Sequence, residues 1–146
     1  MGINTIWSTK LRVLGIVLLA AGAASCADDD DDVAGLVPGI NTGTLEQSWT
    51  IEGTRDVGKC EQYRADRMRI VVFAPDGEVH ATEFTACSFF QTTLTLLTDR
   101  YTANATFVDA QGNPVSQTLT IPEFTISSDE RTVLTPLDFN ADAMMP

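Results

Sequence analysis

The sequence predicts an all-β protein, a single β-sandwich of about seven strands over residues 45–139, preceded by a leader and a disordered acidic tether. Three observations predict it. Apolar and polar residues alternate with a period of two in several short stretches, the pattern of strands with one buried face. Clusters of Pro, Gly, Asn and Asp punctuate those stretches at short intervals, as in sandwiches and barrels. No long segment carries the helical period. Residues 45–139 are enough chain for one real core, and the remainder leaves no room for a second independent domain.

The first strand is read from Leu45, Gln47, Trp49 and Ile51, which alternate with Glu46, Ser48, Thr50 and Glu52. Residues 56–66 hold one helical turn around Cys60 and Tyr63. Arg67–Phe73 alternates again, with Met68, Ile70 and Val72 inward and Arg67 and Arg69 toward solvent. Pro75-Asp76-Gly77 is turn chemistry, since proline fixes φ and glycine accepts positive φ; it joins this strand to Glu78–Phe84 as a hairpin. Thr92–Leu97 has strand composition. Asp99-Arg100 makes a tight connection to Tyr101–Val108, where Tyr101, Ala103, Ala105 and Phe107 share a face. Gln111-Gly112-Asn113-Pro114 is a turn, followed by a strand Val115–Ile121 that Pro122 ends or marks as an edge. Ser127–Glu130 turns into a last strand, Arg131–Leu137, and residues 140–146 read as a flexible tail.

Ahead of the domain, Lys10 and Arg12 precede an apolar run, Val13–Ala24, that ends in Ala23-Ala24-Ser25-Cys26. A positive n-region, a short apolar segment and small residues at a cleavage site make an export signal. The run is too short to span a bilayer, which takes roughly 20 apolar residues. Ala24-Ser25-Cys26 resembles a bacterial lipobox, the pattern cut by the type II signal peptidase, although Ala23 stands where leucine is usual and Ala23-Ala24-Ser25 also suits type I cleavage. The resemblance covers residues 1–26 and implies a signal peptide over 1–25 and lipid on Cys26. A diacylglyceryl group would hold the protein at a membrane. Ala27, in place of aspartate, implies the outer membrane by the same resemblance. Residues 26–44 then form the tether: five aspartates, Asp28 to Asp32, followed by Gly35, Pro38, Gly39 and Gly43, a composition that stays unfolded through like-charge repulsion.

Removing the leader leaves seven cations against twenty acids, a net charge of −13. Nucleic-acid binding needs a basic footprint, so it is excluded as a main role. With Cys26 lipidated, Cys60 and Cys87 remain as an even pair, and export to an oxidising compartment makes a disulfide the expectation, with two buried thiols as the alternative. Two cysteines 27 positions apart lack the paired spacing of a zinc site, so no metal or other cofactor is expected.

Candidate chemistry is sparse. His80, the lone histidine, and Glu83 lie three apart on a strand and point to opposite faces, so His80 reads as a surface residue. Neither a nucleophile elbow nor HExxH occurs. Asp109-Ala110-Gln111-Gly112-Asn113 reads as a hairpin turn rather than a cation loop, and Asn104-Ala105-Thr106 as a chance sequon. Trp49, Tyr101 and Phe107 read as core rather than pocket lining. From Trp49 to Phe139 the pattern resembles the small immunoglobulin-like or transthyretin-like modules of bacterial lipoproteins, through Ser48-Trp49, Cys60, Met68–Phe73, Phe84 with Cys87, Tyr101–Asp109 with Gly112, and Asp138-Phe139. Trp49 precedes both cysteines and their separation is short for an inter-sheet bridge, so a disulfide would pin a local connection to the sheet. The expected function is a lipid-anchored protein of the bacterial envelope whose sandwich binds a protein or glycan without catalysis. A structural or assembly subunit of an envelope complex is the alternative, and a carboxylate hydrolase a more distant one. No ligand-binding residue is singled out.

Overall fold

The computed structural model describes residues 41–145, so the leader, Cys26 and the aspartate run lie outside the described residues. Two four-stranded sheets account for the domain. In the first, β1 (Thr42–Ile51) is flanked on one side by antiparallel β4 (Gln91–Leu97). On its other side lie two short parallel strands, β7 (Arg131–Val133) and β8 (Leu137–Phe139). The second sheet runs β3 (Val79–Ala86), β2 (Arg67–Phe73), β5 (Arg100–Val108), β6 (Leu119–Thr125), antiparallel throughout. Alternation puts Leu45, Trp49 and Ile51 of β1 and Met68, Ile70 and Val72 of β2 into one buried cluster with Ala103, Ala105 and Phe107 of β5. Trp49 meets Phe107 edge-on, with ring centroids 6.4 Å apart. The all-β sandwich is therefore observed, with eight strands instead of seven.

The Pro75-Asp76-Gly77 hairpin forms as expected, with Gly77 at φ 85°. The tight connection at Asp99 is not a hairpin: it carries the chain from β4 in one sheet to β5 in the other. Arg67 and Arg69 lie on the outer face but are half-buried, and the Arg67 guanidinium sits 5.3 Å from the centre of the Phe84 ring. The turn between residues 56 and 66 is α1 (Val57–Gln62), capped by the Asp56 carboxylate, which accepts from the Gly58 N–H.

Four boundaries differ from the sequence reading. Asn41 to Thr44 were assigned to the tether, yet β1 starts at Thr42 and pairs Gly43 with Leu96. Gly43 is there for space: a Cβ would lie 2.2 Å from the Ser127 carbonyl. The strand expected at Val115–Ile121 is displaced to Leu119–Thr125, because a register shift opposite Tyr101 to Ala103 lets Ile121 and Phe124, three apart, both turn inward. Pro122 lies inside β6, an edge strand, where its missing N–H is tolerated. Arg131–Leu137 is not one strand. Pro136 separates β7 from β8, and the gap is bridged by Gln47, whose Nε2 donates to the Thr135 carbonyl at 3.1 Å. Finally, residues 140–145 are folded instead of loose. The Asn140 side chain caps a 3₁₀ turn over Ala141–Ala143, Met144 bridges to Ser116, and Ala143 and Met144 are buried.

Candidate functional site at the disulfide-bonded end

Two crossings between the sheets meet at one end of the sandwich. The first, from β1 to β2, begins with a tight turn in which Glu52 (φ 52°) and Gly53 (φ 71°) both take the left-handed conformation, and the Thr54 N–H returns to the Ile51 carbonyl. The Glu52 carboxylate then accepts from Lys59 Nζ and the Tyr63 hydroxyl, which ties the turn to α1. Lys59 and Tyr63 hold the Glu52 carboxyl below its ordinary pKa, and the same hydrogen bonds raise those of Lys59 and Tyr63. This trio is a structural clasp, with every charge matched.

The second crossing, from β3 to β4, is the 3₁₀ turn Cys87–Phe89 followed by Phe90. Cys60 of α1 and Cys87 are joined by a disulfide. The expected pairing is thus present, and it links crossing to crossing instead of crossing to sheet. Further bonds fix the turn. The Cys87 N–H donates to the Asp66 carbonyl, and the Cys87 carbonyl accepts from Trp49 Nε1 at 3.2 Å. The Trp49 N–H donates to the Phe90 carbonyl at 3.0 Å. Phe90 takes φ 55°, a conformation rare for a bulky residue, and is buried. With Cys87 and Phe90 both anchored inward, Phe89 between them projects out and is 72% exposed, more than any other large apolar side chain among the described residues.

Beside this turn lies a shallow groove of about 410 Å³ along the disulfide, lined among others by Glu61, Arg64, Asp66, Ser88 and Gln111. The β5–β6 turn forms one wall. Its Asp109 carboxylate accepts from the Gln111 and Asn113 N–H groups and from Asn113 Nδ2, and these bonds lower its pKa. That carboxylate closes a hairpin turn, as the turn reading anticipated.

The other sequence candidates fall elsewhere. His80 is exposed on β3; its ring lies 5.0 Å from that of Tyr101, and its Nε2 is 3.5 Å from the Tyr101 hydroxyl. Glu83 pairs with Ile70 and turns to the core-facing side of the edge, half-buried. Asn104 lies within β5, opposite Val71 and Thr120. Trp49, Tyr101 and Phe107 are core residues, and burial raises the Tyr101 pKa. Phe89 was not singled out in the sequence. The only signal there is the Ser88-Phe89-Phe90 doublet, in which an alternating pattern requires one ring to point outward.

No family model matches the chain, and no curated protein does. Among solved structures, a leucine-rich repeat protein from Bacteroides thetaiotaomicron VPI-5482 contains a similar region, at TM-score 0.44 and 14% identity. The match covers 69% of this chain and 12% of that one.

Proposed function

We propose that this chain is an exported lipoprotein, held at a bacterial envelope membrane, the outer one by its Ala27, through lipid on Cys26, whose β-sandwich binds an envelope protein or glycan without catalysis. The observation that carries the binding role is Phe89, an exposed aromatic ring on a turn that a disulfide, three backbone hydrogen bonds and a buried neighbour hold in place. An aromatic side chain with few degrees of freedom, presented on a rigid support, gives contact area at low entropic cost. The leader and the aspartate run support the anchoring role through the charge and length pattern of Lys10 to Asp32.

Two measurements test the reading. Intact mass of the membrane-extracted protein should show a chain beginning at Cys26 with added acyl mass; an unmodified Cys26 removes the anchor from the proposal. A photo-crosslinking residue placed at position 89 in intact cells should trap a discrete envelope partner, whereas the same residue at exposed Ser128 should not. Equal, diffuse labelling from both positions would remove Phe89 as the contact.

A further inference from the structure

The edges of the two sheets are unequally protected. β6 carries Pro122 in its middle, and β7 and β8 are three residues each with Pro136 between them. β3 has a register shift opposite Val72 and Phe73 and turns Glu83 inward beside Ile70. Proline, short strands, bulges and inward charges all stop an edge from pairing with another strand. β4 has none of them. Gln91-Thr92-Thr93-Leu94-Thr95-Leu96-Leu97 contains no charge and no proline, and its register with β1 is unbroken.

The hydrogen-bond pattern shows which amides of β4 are open. Trp49 donates to the Phe90 carbonyl and Thr98 to the Asn41 carbonyl. In an antiparallel ladder alternate residues face the partner strand, so Phe90, Thr92, Leu94, Leu96 and Thr98 address β1. Gln91, Thr93 and Thr95 address the opposite side. Among the described residues nothing takes their N–H or C=O groups, while the Leu97 carbonyl accepts from the Tyr101 hydroxyl at 3.1 Å.

We propose that β4 pairs antiparallel with β4 of a second copy of this chain, about a two-fold axis at Leu94, merging the first sheets of both copies into one. In that register Thr93 lies opposite Thr95 of the second copy and exchanges both backbone hydrogen bonds with it, twice over by symmetry. Gln91 lies opposite Leu97, and Leu94 opposite Leu94. The outer-face pairs are then Thr with Thr, a favourable cross-strand combination, flanked by Gln91 with Leu97, and no charge meets a like charge. A symmetric contact of this kind closes on itself, and the edges it leaves at β3, β6, β7 and β8 are the protected ones. The second copy is the fitting occupant because β4 is neutral in a chain of net charge −11: repulsion between copies comes from charges off the seam and is screened by salt. This pairing rests on neither Cys26 nor Phe89, so a monomer would leave the proposed function intact.

Sedimentation equilibrium of the full chain in mild detergent, at low and high NaCl, tests it. The expected result is a monomer–dimer equilibrium that tightens with salt. Thr93→Pro deletes an outward N–H that makes no bond within the domain and should weaken the dimer at least about tenfold, the loss of two symmetry-related backbone hydrogen bonds. The register is read by a charge pair: Thr93→Lys with Thr95→Lys places like charges opposite each other and should give monomer, whereas Thr93→Lys with Thr95→Glu should still dimerise. The charge pair also decides the matter if the proline variant fails to fold. A monomer at every concentration and salt would overturn the proposal, as would a dimer that both charge variants leave unchanged.

Discussion

Trp49 ties three parts of the domain together. Its ring packs edge-on against Phe107 of the opposite sheet, its Nε1 donates to Cys87, and its backbone N–H holds Phe90. Removing the ring opens a large cavity, so Trp49→Ala should cost about 3–5 kcal/mol. Trp49→Phe keeps most of the apolar volume but leaves the buried Cys87 carbonyl without its side-chain donor, and should cost about 1–3 kcal/mol. Urea denaturation of the two variants checks both values. A cost near zero for Trp49→Phe would mean that the aromatic volume, and not the indole N–H, sets the position of the Cys87 turn. Trp49 was legible as core because alternation alone gives its side. Gln47 was legible as inward-facing for the same reason, but its role was not, since the Thr135 carbonyl it binds lies 88 residues away. Phe89 was hidden for a local reason: it stands on a 3₁₀ turn between the buried Cys87 and Phe90, the latter at a left-handed φ, and nothing in the composition of a phenylalanine announces that conformation.

The elements that were read well are those with unbroken alternation. β2 was placed at its observed bounds, Arg67–Phe73, and the hairpin that follows was fixed by Pro75-Asp76-Gly77. The elements misplaced are those where tertiary pairing breaks the period. The shift in β6 puts Ile121 and Phe124 on one side, and the split of β7 from β8 follows a proline whose partner strand is remote. The disulfide was legible through the cysteine count and the export expected from the leader, and its partners lie on α1 and the Cys87 turn, bracketing the β2–β3 hairpin. It spans 27 positions of sequence, for which the chain-entropy model gives about 3–4 kcal/mol of stabilisation. The unfolded protein should therefore show no titratable thiol at Cys60 or Cys87. The double variant Cys60→Ser with Cys87→Ser should unfold at a lower urea midpoint, with an unfolding free energy extrapolated to water that is smaller by about that margin. Two reactive thiols in the untreated protein would refute the bond itself.

At the scale of the molecule, the carboxylates predict how stability depends on pH. Glu52 and Asp109 both have pKa values lowered below their ordinary 4.5 and 3.8, Glu52 by hydrogen bonds from Lys59 and Tyr63, Asp109 by those from Asn113. A carboxylate depressed in the folded state contributes stability that is complete above its unfolded pKa and is lost as pH falls through the folded one. These two clasps should therefore weaken on acidification below about pH 4.5, the range where unfolded carboxylates begin to bind protons. On the alkaline side the sign reverses. Tyr101, raised by burial, and Lys59 and Tyr63, raised by Glu52, contribute stability that is complete below their unfolded values and is lost as pH rises through the folded ones. The expected profile is a plateau through neutrality with limbs falling below about pH 4.5 and above about pH 10. Thermal midpoints at constant ionic strength should trace it, with salt held high enough to screen the acidic surface. Glu52→Gln should flatten the acid limb, because a neutral amide has no proton to gain. Tyr101→Phe should flatten the alkaline limb and leave the acid one in place. An acid limb unchanged by Glu52→Gln would assign the acid sensitivity to the Asp109 turn, and the pair Glu52→Gln with Asp109→Asn would then have to abolish most of it for the clasps to be its source.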